Sequence, residues 1–115
     1  MTKAEQIQGI LDGWREEYGV SQPIQFMCWI ELGGGTMGKC THRRNRCEIY
    51  LDDKWENRKL GWLETSVLWH EFCHANAYLE DGVRDGHNKH FVEYRKRKPK
   101  YSWGDLVAKL IYIFL

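Results

Sequence analysis

The segment His70-Glu71-Phe72-Cys73-His74 sets two imidazoles four residues apart with a carboxylate between them in sequence. On a helix, residues four apart share one face and stand one turn above each other. Both rings can then bind one Zn²⁺ at about 2.0–2.1 Å. Glu71 can reach a water held at that metal and act as its general base. A catalytic zinc also needs a third protein ligand and an open position. Glu80, Asp81, Asp85, His87, His90 and Glu93 follow within reach. Of these, His87 is the best placed, because Gly86 before it lets the chain turn sharply back. Glu80 and Asp81 sit too close to the helix end to curl round. Glu93 would supply a carboxylate from a second helix, and His90 would lie one turn along that helix. The plainer alternative for the motif is a helix with two surface histidines and an ion-paired glutamate.

His70-Glu71-Phe72-Cys73-His74-Ala75, then Asp81-Gly82-Val83-Arg84-Asp85-Gly86-His87, then Phe91, resembles the SprT-like metalloprotease domain, whose members include Spartan and the germ-cell nuclear antigen proteases. Gly38-Lys39-Cys40 and Cys47-Glu48-Ile49-Tyr50-Leu51 are similar to the strand pair that precedes the active helix there. The resemblance covers roughly positions 1 to 98. It implies a gluzincin-type, zincin-like α+β fold and zinc-dependent proteolysis. It further implies His70, His74 and His87 as ligands and Glu71 as the catalytic acid/base. Its substrates would be proteins on DNA, including DNA–protein crosslinks. Two features depart from the family pattern. Asn88-Lys89 follows the third histidine in place of a Gly-Pro or similar pair. No C-x-x-C pair exists to build the zinc ribbon of many members. A further donor to the developing oxyanion is often supplied by Tyr, His or Arg. Tyr78, Arg84, His90 and Tyr94 are candidates, each with a packing or surface role as its alternative.

The formal net charge is +1, from 17 Lys plus Arg against 16 Asp plus Glu. That balance excludes a histone-like coat for DNA but hides local patches. Residues 39–46 and 84–100 together carry +9, and the rest of the chain carries −8. Arg43, Arg44 and Arg46 belong to the first patch; Arg95, Lys96, Arg97 and Lys98 belong to the second. Both are candidates for phosphate contact, with Tyr94, Tyr101 and Trp103 near the second for base stacking. Alternatively, the second patch is a solvated helix end, where cations favour the dipole.

The elements that must hold these residues follow from periodicity. Thr2-Lys3-Ala4-Glu5 fits a capping box, and Ile7, Ile10, Leu11, Trp14 and Tyr18 recur at helical spacing. This predicts a first helix over Lys3 to Tyr18, stopped by Gly19. Ile24, Phe26, Cys28 and Ile30 alternate as a half-buried strand. Two more strands are expected at Thr36 to Thr41 and Cys47 to Leu51. A hairpin closed around His42 to Arg46 would set Cys40 facing Cys47, where a disulfide is possible, though free thiols suit a cytosolic protein better. The motif helix should run from Gly61 to Leu79 and end at Asp81-Gly82. A third helix follows over Asn88 to Lys96, and the tail from Ser102 to Leu115 reads as a helix capped by Ser102 or as a strand. This order predicts an α+β domain with helices on a small three-stranded antiparallel sheet.

A chain of 115 residues fits one domain, here 1–115, and its six Trp, six Tyr and four Phe suffice for a core. No apolar leader or membrane-length run is present, so a cytoplasmic, intracellular protein is expected, with no membrane partner. Cys73 is read as a small buried residue facing away from the metal. The apolar tail should pack on the domain or dock on another subunit; the sequence leaves the oligomeric state open. The expected partners are a protein or peptide substrate and DNA. A zinc-containing adaptor without catalysis and a metallohydrolase of another amide are the competing functions. The intact Glu71 disfavours the adaptor.

Overall fold

Thr2 and Glu5 close the expected capping box. The Thr2 side chain accepts from the Glu5 backbone, and the Glu5 carboxylate accepts from the Thr2 N–H. Helix α1 spans Lys3–Tyr18 and ends at Gly19, which takes the left-handed conformation (φ 67°) that a side chain would resist. It buries Ile7, Leu11 and Trp14. The computed structural model describes residues 1–82, 87 and 89–114, without the side chain of Ile113.

Strand β1 covers Ile24–Ile30, β2 Gly38–His42 and β3 Cys47–Asp52. The alternation expected along β1 holds only for Ile24 and Phe26. A bulge shifts the register between Phe26 and Cys28, so the later residues change face. Cys28 and Ile30 are exposed, and Trp29 turns inward to donate from Nε1 to Glu64 at 2.9 Å.

The antiparallel sheet expected from the sequence is corrected by the pairing. The order is β1-β3-β2, with β2 antiparallel to β3 but β1 parallel to it. Gly33, Gly34 and Gly35 all adopt positive φ, a turn that lets the chain cross to the far edge before β3 returns through the centre. Central placement explains why five of the six β3 residues are buried. The hairpin register also differs from expectation. His42 lies opposite Cys47, and Cys40 lies opposite Ile49. Both cysteines are free thiols.

After a 3₁₀ turn at Asp53–Trp55, α2 spans Trp62–Asp81, with Gly82 as its left-handed cap. Every residue from Glu64 to Cys73 is buried. One face carries Trp69 and Phe72 into an aromatic cluster with Trp14 of α1, at ring separations of 5.1 and 5.5 Å. Edge-on pairs of this kind contribute about 0.5–1.5 kcal/mol beyond area burial. Cys73 is fully buried in this core, which pushes its thiol well above the ordinary range.

Helix α3 covers Lys89–Arg95, and α4 covers Pro99–Ile111, followed by a 3₁₀ turn at Tyr112–Phe114. The tail starts its helix three residues before the expected Ser102 cap. Pro99 occupies the first turn, where its missing N–H would be unsatisfied anyway. The Ser102 hydroxyl instead donates to the Arg95 carbonyl at 2.7 Å and ties α4 to α3. Tyr112 and Ala108 pack inward, while Trp103, Leu106 and Leu110 are exposed. Helix α4 crosses α2 so closely that a Cβ at Gly104 would collide with the Ser66 side chain. Trp62 Nε1 donates to the Lys100 carbonyl at 2.9 Å and closes the same junction. The result is an α+β domain of four helices on a mixed three-stranded sheet.

Candidate metal centre

Helix α2 presents His70 and His74 on one face, and the chain after it returns His87 to them. The three imidazoles offer ligand nitrogens all within 4.8 Å of one another. Nε2 of His70 and Nε2 of His74 stand 3.2 Å apart. Two imidazole nitrogens bound tetrahedrally at about 2.0–2.1 Å from one metal would be about 3.3 Å apart, so the pair fits. His70 is nearly buried, His74 is partly buried and His87 is exposed at the mouth. Phe91, on α3, packs against all three rings and stacks on His74 and His87 at 4.2 and 4.5 Å. It is 1% exposed, so it forms a dry floor that fixes the ring planes.

Asp105 on α4 is the functional residue that the sequence reading missed. Its Oδ2 lies 3.0 Å from His70 Nδ1. A carboxylate only accepts, so Nδ1 carries the proton and Nε2 keeps its lone pair for a metal. Arg95 holds the same oxygen from the other side at 3.2 Å. Burial would raise the Asp105 carboxyl, but the His70 hydrogen bond and the charges of His70, Lys109 and Arg95 hold it below its ordinary range. The close contact of Gly104 with Ser66 brings Asp105 within reach. A faint signal was present: an acid beside a glycine inside an otherwise apolar tail, Trp103-Gly104-Asp105-Leu106.

The remaining electrostatics favour neutral ligands. Burial, then the neighbouring His70 and His87, push His74 down to about 3. Burial, then His70, lower His87 as well. Burial pushes Glu71 up to about 7, against the pull of His70 and His42 and with Asp105 adding to the rise. The Glu71 side chain packs on Gly38 of β2, where a Cβ would come within 3.0 Å of Glu71 Cγ. A cleft of about 310 Å³ opens here, lined by Gly35 to Gly38, Val67, His70, Glu71, His87, Asp105 and Lys109.

The other candidates are distributed differently. Arg84 and Asp85 lie outside the described residues, as does Gly86. The Tyr78 hydroxyl donates to the Arg43 carbonyl at 2.8 Å. Tyr94 donates to Asp81 at 2.6 Å, and His90 Nδ1 lies 3.4 Å from the same carboxylate. Burial and then Asp81 push the Tyr94 phenol up to about 12. Glu93 is exposed and lies 3.6 Å from Lys96.

Most of the basic residues have acidic or aromatic neighbours. Arg43 and Arg46 reach Glu48 at 2.9 and 3.6 Å, while Arg44 is exposed. Arg95 turns inward to Asp105, and Lys98 pairs with Glu17 at 3.0 Å. Arg97 lies over the rings of Tyr18 and Tyr94 at 4.7 and 4.4 Å. Lys96 is exposed.

Three convergent imidazoles, two of them on an H-E-x-x-H helix and one backed by an acid, form a group that could hold one metal ion. The SprT-like family profile matches residues 15–101, and the chain belongs to the SprT-like family. That family is of the metalloprotease type and is generally metal-dependent. No curated protein and no solved structure gave a significant match to the chain. No helix among the described residues is long and apolar enough to cross a membrane.

Proposed function

We propose that residues 1–115 form a zincin-like metallopeptidase domain that hydrolyses peptide bonds with Zn²⁺. The single observation that carries this reading is the convergence of His70, His74 and His87 beside a cleft that His70 and His87 line together with Glu71. All-nitrogen neutral donors suit zinc. When bound, the metal supplies Lewis acidity to a water molecule and to a substrate carbonyl.

The chain's own residues do the rest. Asp105 holds His70 in the tautomer that presents Nε2. Phe91 fixes the three rings and keeps water from their back. Glu71 takes a proton from the attacking water at its carboxylate and returns it to the leaving nitrogen. Its buried, raised carboxyl suits both halves of that cycle. Peptide substrates are favoured over other amides by strand β2. It is an edge strand whose first residue packs on Glu71, and an extended peptide can pair with such an edge.

Glu71→Gln tests the mechanism. Cleavage of an unstructured protein should fall about 10²–10⁴-fold while metal content is unchanged. Retained cleavage would refute the role given to Glu71. DNA-bound or DNA-crosslinked proteins are the proposed substrates in an intracellular setting. Their test is whether a protein crosslinked to DNA is cut faster than the same protein free.

A further inference from the structure

We propose that Cys40, His42 and Cys47 form a second metal site, for a thiophilic cation such as Zn²⁺, at the turn end of the β2–β3 hairpin. This site is separate from the three-histidine centre and does not depend on its chemistry.

The hairpin register builds it. Cys40 and His42 are two residues apart on β2, so their side chains share a face. His42 lies opposite Cys47, which puts the third donor on that same face. Nδ1 of His42 stands 3.9 Å from Cys40 Sγ and 3.7 Å from Cys47 Sγ. All three donor atoms lie within 4.8 Å of one another. With Zn–S near 2.3 Å and Zn–N near 2.0–2.1 Å, a tetrahedral sulfur–nitrogen edge is about 3.6 Å. The separations are therefore those of one shared cation with small adjustment.

The surroundings hold the donors ready. His42 is stacked on Tyr78 of α2, with ring centres 4.5 Å apart and planes 26° apart. The Tyr78 hydroxyl binds the Arg43 carbonyl, so the same residue anchors the turn beyond His42. Cys47 is fully buried and Cys40 partly so. The Cys40 thiol donates toward Cys47 and lowers its pKa to about 7, with burial opposing and His42 adding to the fall. The same contact, then burial, raises Cys40. Two sulfurs and an imidazole select a soft or borderline cation over Mg²⁺ or Ca²⁺, which require oxygen. Three protein donors complete a trigonal site or leave one position of a tetrahedral one. A cation there would cross-link the hairpin and stiffen the turn.

The test uses the full chain, stripped of metal and kept reduced, titrated with Co²⁺ alone and then Zn²⁺ alone. Two equivalents should bind, one of them with intense thiolate-to-cobalt charge-transfer absorption. Cys40→Ser should lose that band and one equivalent, whereas His74→Ala should keep the band. His42→Asn is the second hairpin variant, since both positions are partly exposed and tolerate change better than buried Cys47. If these variants fail to fold, the wild-type stoichiometry and band decide the matter. One equivalent without the band, with both thiols assayed as reduced, overturns the proposal. So does a Cys40–Cys47 disulfide that persists in reductant and excludes metal, or a band that survives Cys40→Ser.

Discussion

The histidine centre and the basic run after it are separated by only a few residues, yet their side chains are positioned by opposite rules. Each imidazole of the centre is fixed from several elements at once: α2 supplies two of them, Phe91 of α3 packs on all three, and Asp105 of α4 orients one. The cations of residues 95–98 are engaged by several partners, and Arg97 and Lys98 share the Tyr18 ring. Arg95 serves Asp105, Lys98 serves Glu17, Arg97 lies on two tyrosines, and Lys96 faces solvent. Three of the four have an acid beside them, at 3.0–3.6 Å, so a charge run need not be unneutralised charge. Ligand spacing on a helix, by contrast, is itself a geometric statement.

The sharpest way to break this contrast is to remove a ligand. His74→Ala should abolish near-stoichiometric zinc at the centre and all cleavage, read by metal analysis and a peptide assay. Next in size is Asp105→Asn, which should weaken metal binding about 10–100-fold by releasing His70. Gly104→Ala should act in the same direction and also destabilise the fold by about 1–3 kcal/mol through overpacking against Ser66. Competition with a chelator and thermal unfolding separate the two effects.

Arg95 divides the regions most directly. Arg95→Ala should lower metal affinity several-fold, because it frees one side of Asp105. Lys96→Ala and Arg44→Ala should leave metal binding unchanged. If DNA is bound by their side chains, each should reduce the salt slope of that binding by about one. A uniform response of all three to a salt titration would support a single basic surface.

The smallest effect is the Glu17–Lys98 pair. The Lys98 hydrogen bond, against burial, holds the Glu17 carboxyl below its ordinary range. A depressed carboxyl stabilises the fold above its unfolded pKa, about 4.3, and loses that contribution as pH falls through the folded value. Glu17→Gln should therefore lower stability by a few tenths of a kcal/mol at pH 7, about what an exposed pair contributes. Thermal unfolding should show no difference between the two proteins once pH lies below the folded pKa.

What could be read in the sequence was local. The capping box of α1, the histidine pair and the cap of α2 depend on residues within one or two turns, and periodicity reports those. His87 lies beside the pair, and its place there was expected by the same logic. Asp105 was not, because it acts across 35 residues through a helix crossing that only the Gly104–Ser66 fit reveals. The parallel pairing of β1 escaped for a similar reason. Alternation describes a strand's faces, not its neighbours, and the bulge at Met27 cancelled even that alternation. The basic run carried no geometry, because composition counts charges without their partners.

The helix crossing also sets an order of events. Synthesis runs from the N-terminus, so α2 with its two histidines leaves the ribosome well before α4. Until α4 docks, His70 lacks the carboxylate that selects its tautomer, and Ser66 faces no glycine. A nascent chain therefore carries the motif before Asp105 is brought to His70, and the set is completed only by the last helix to be made.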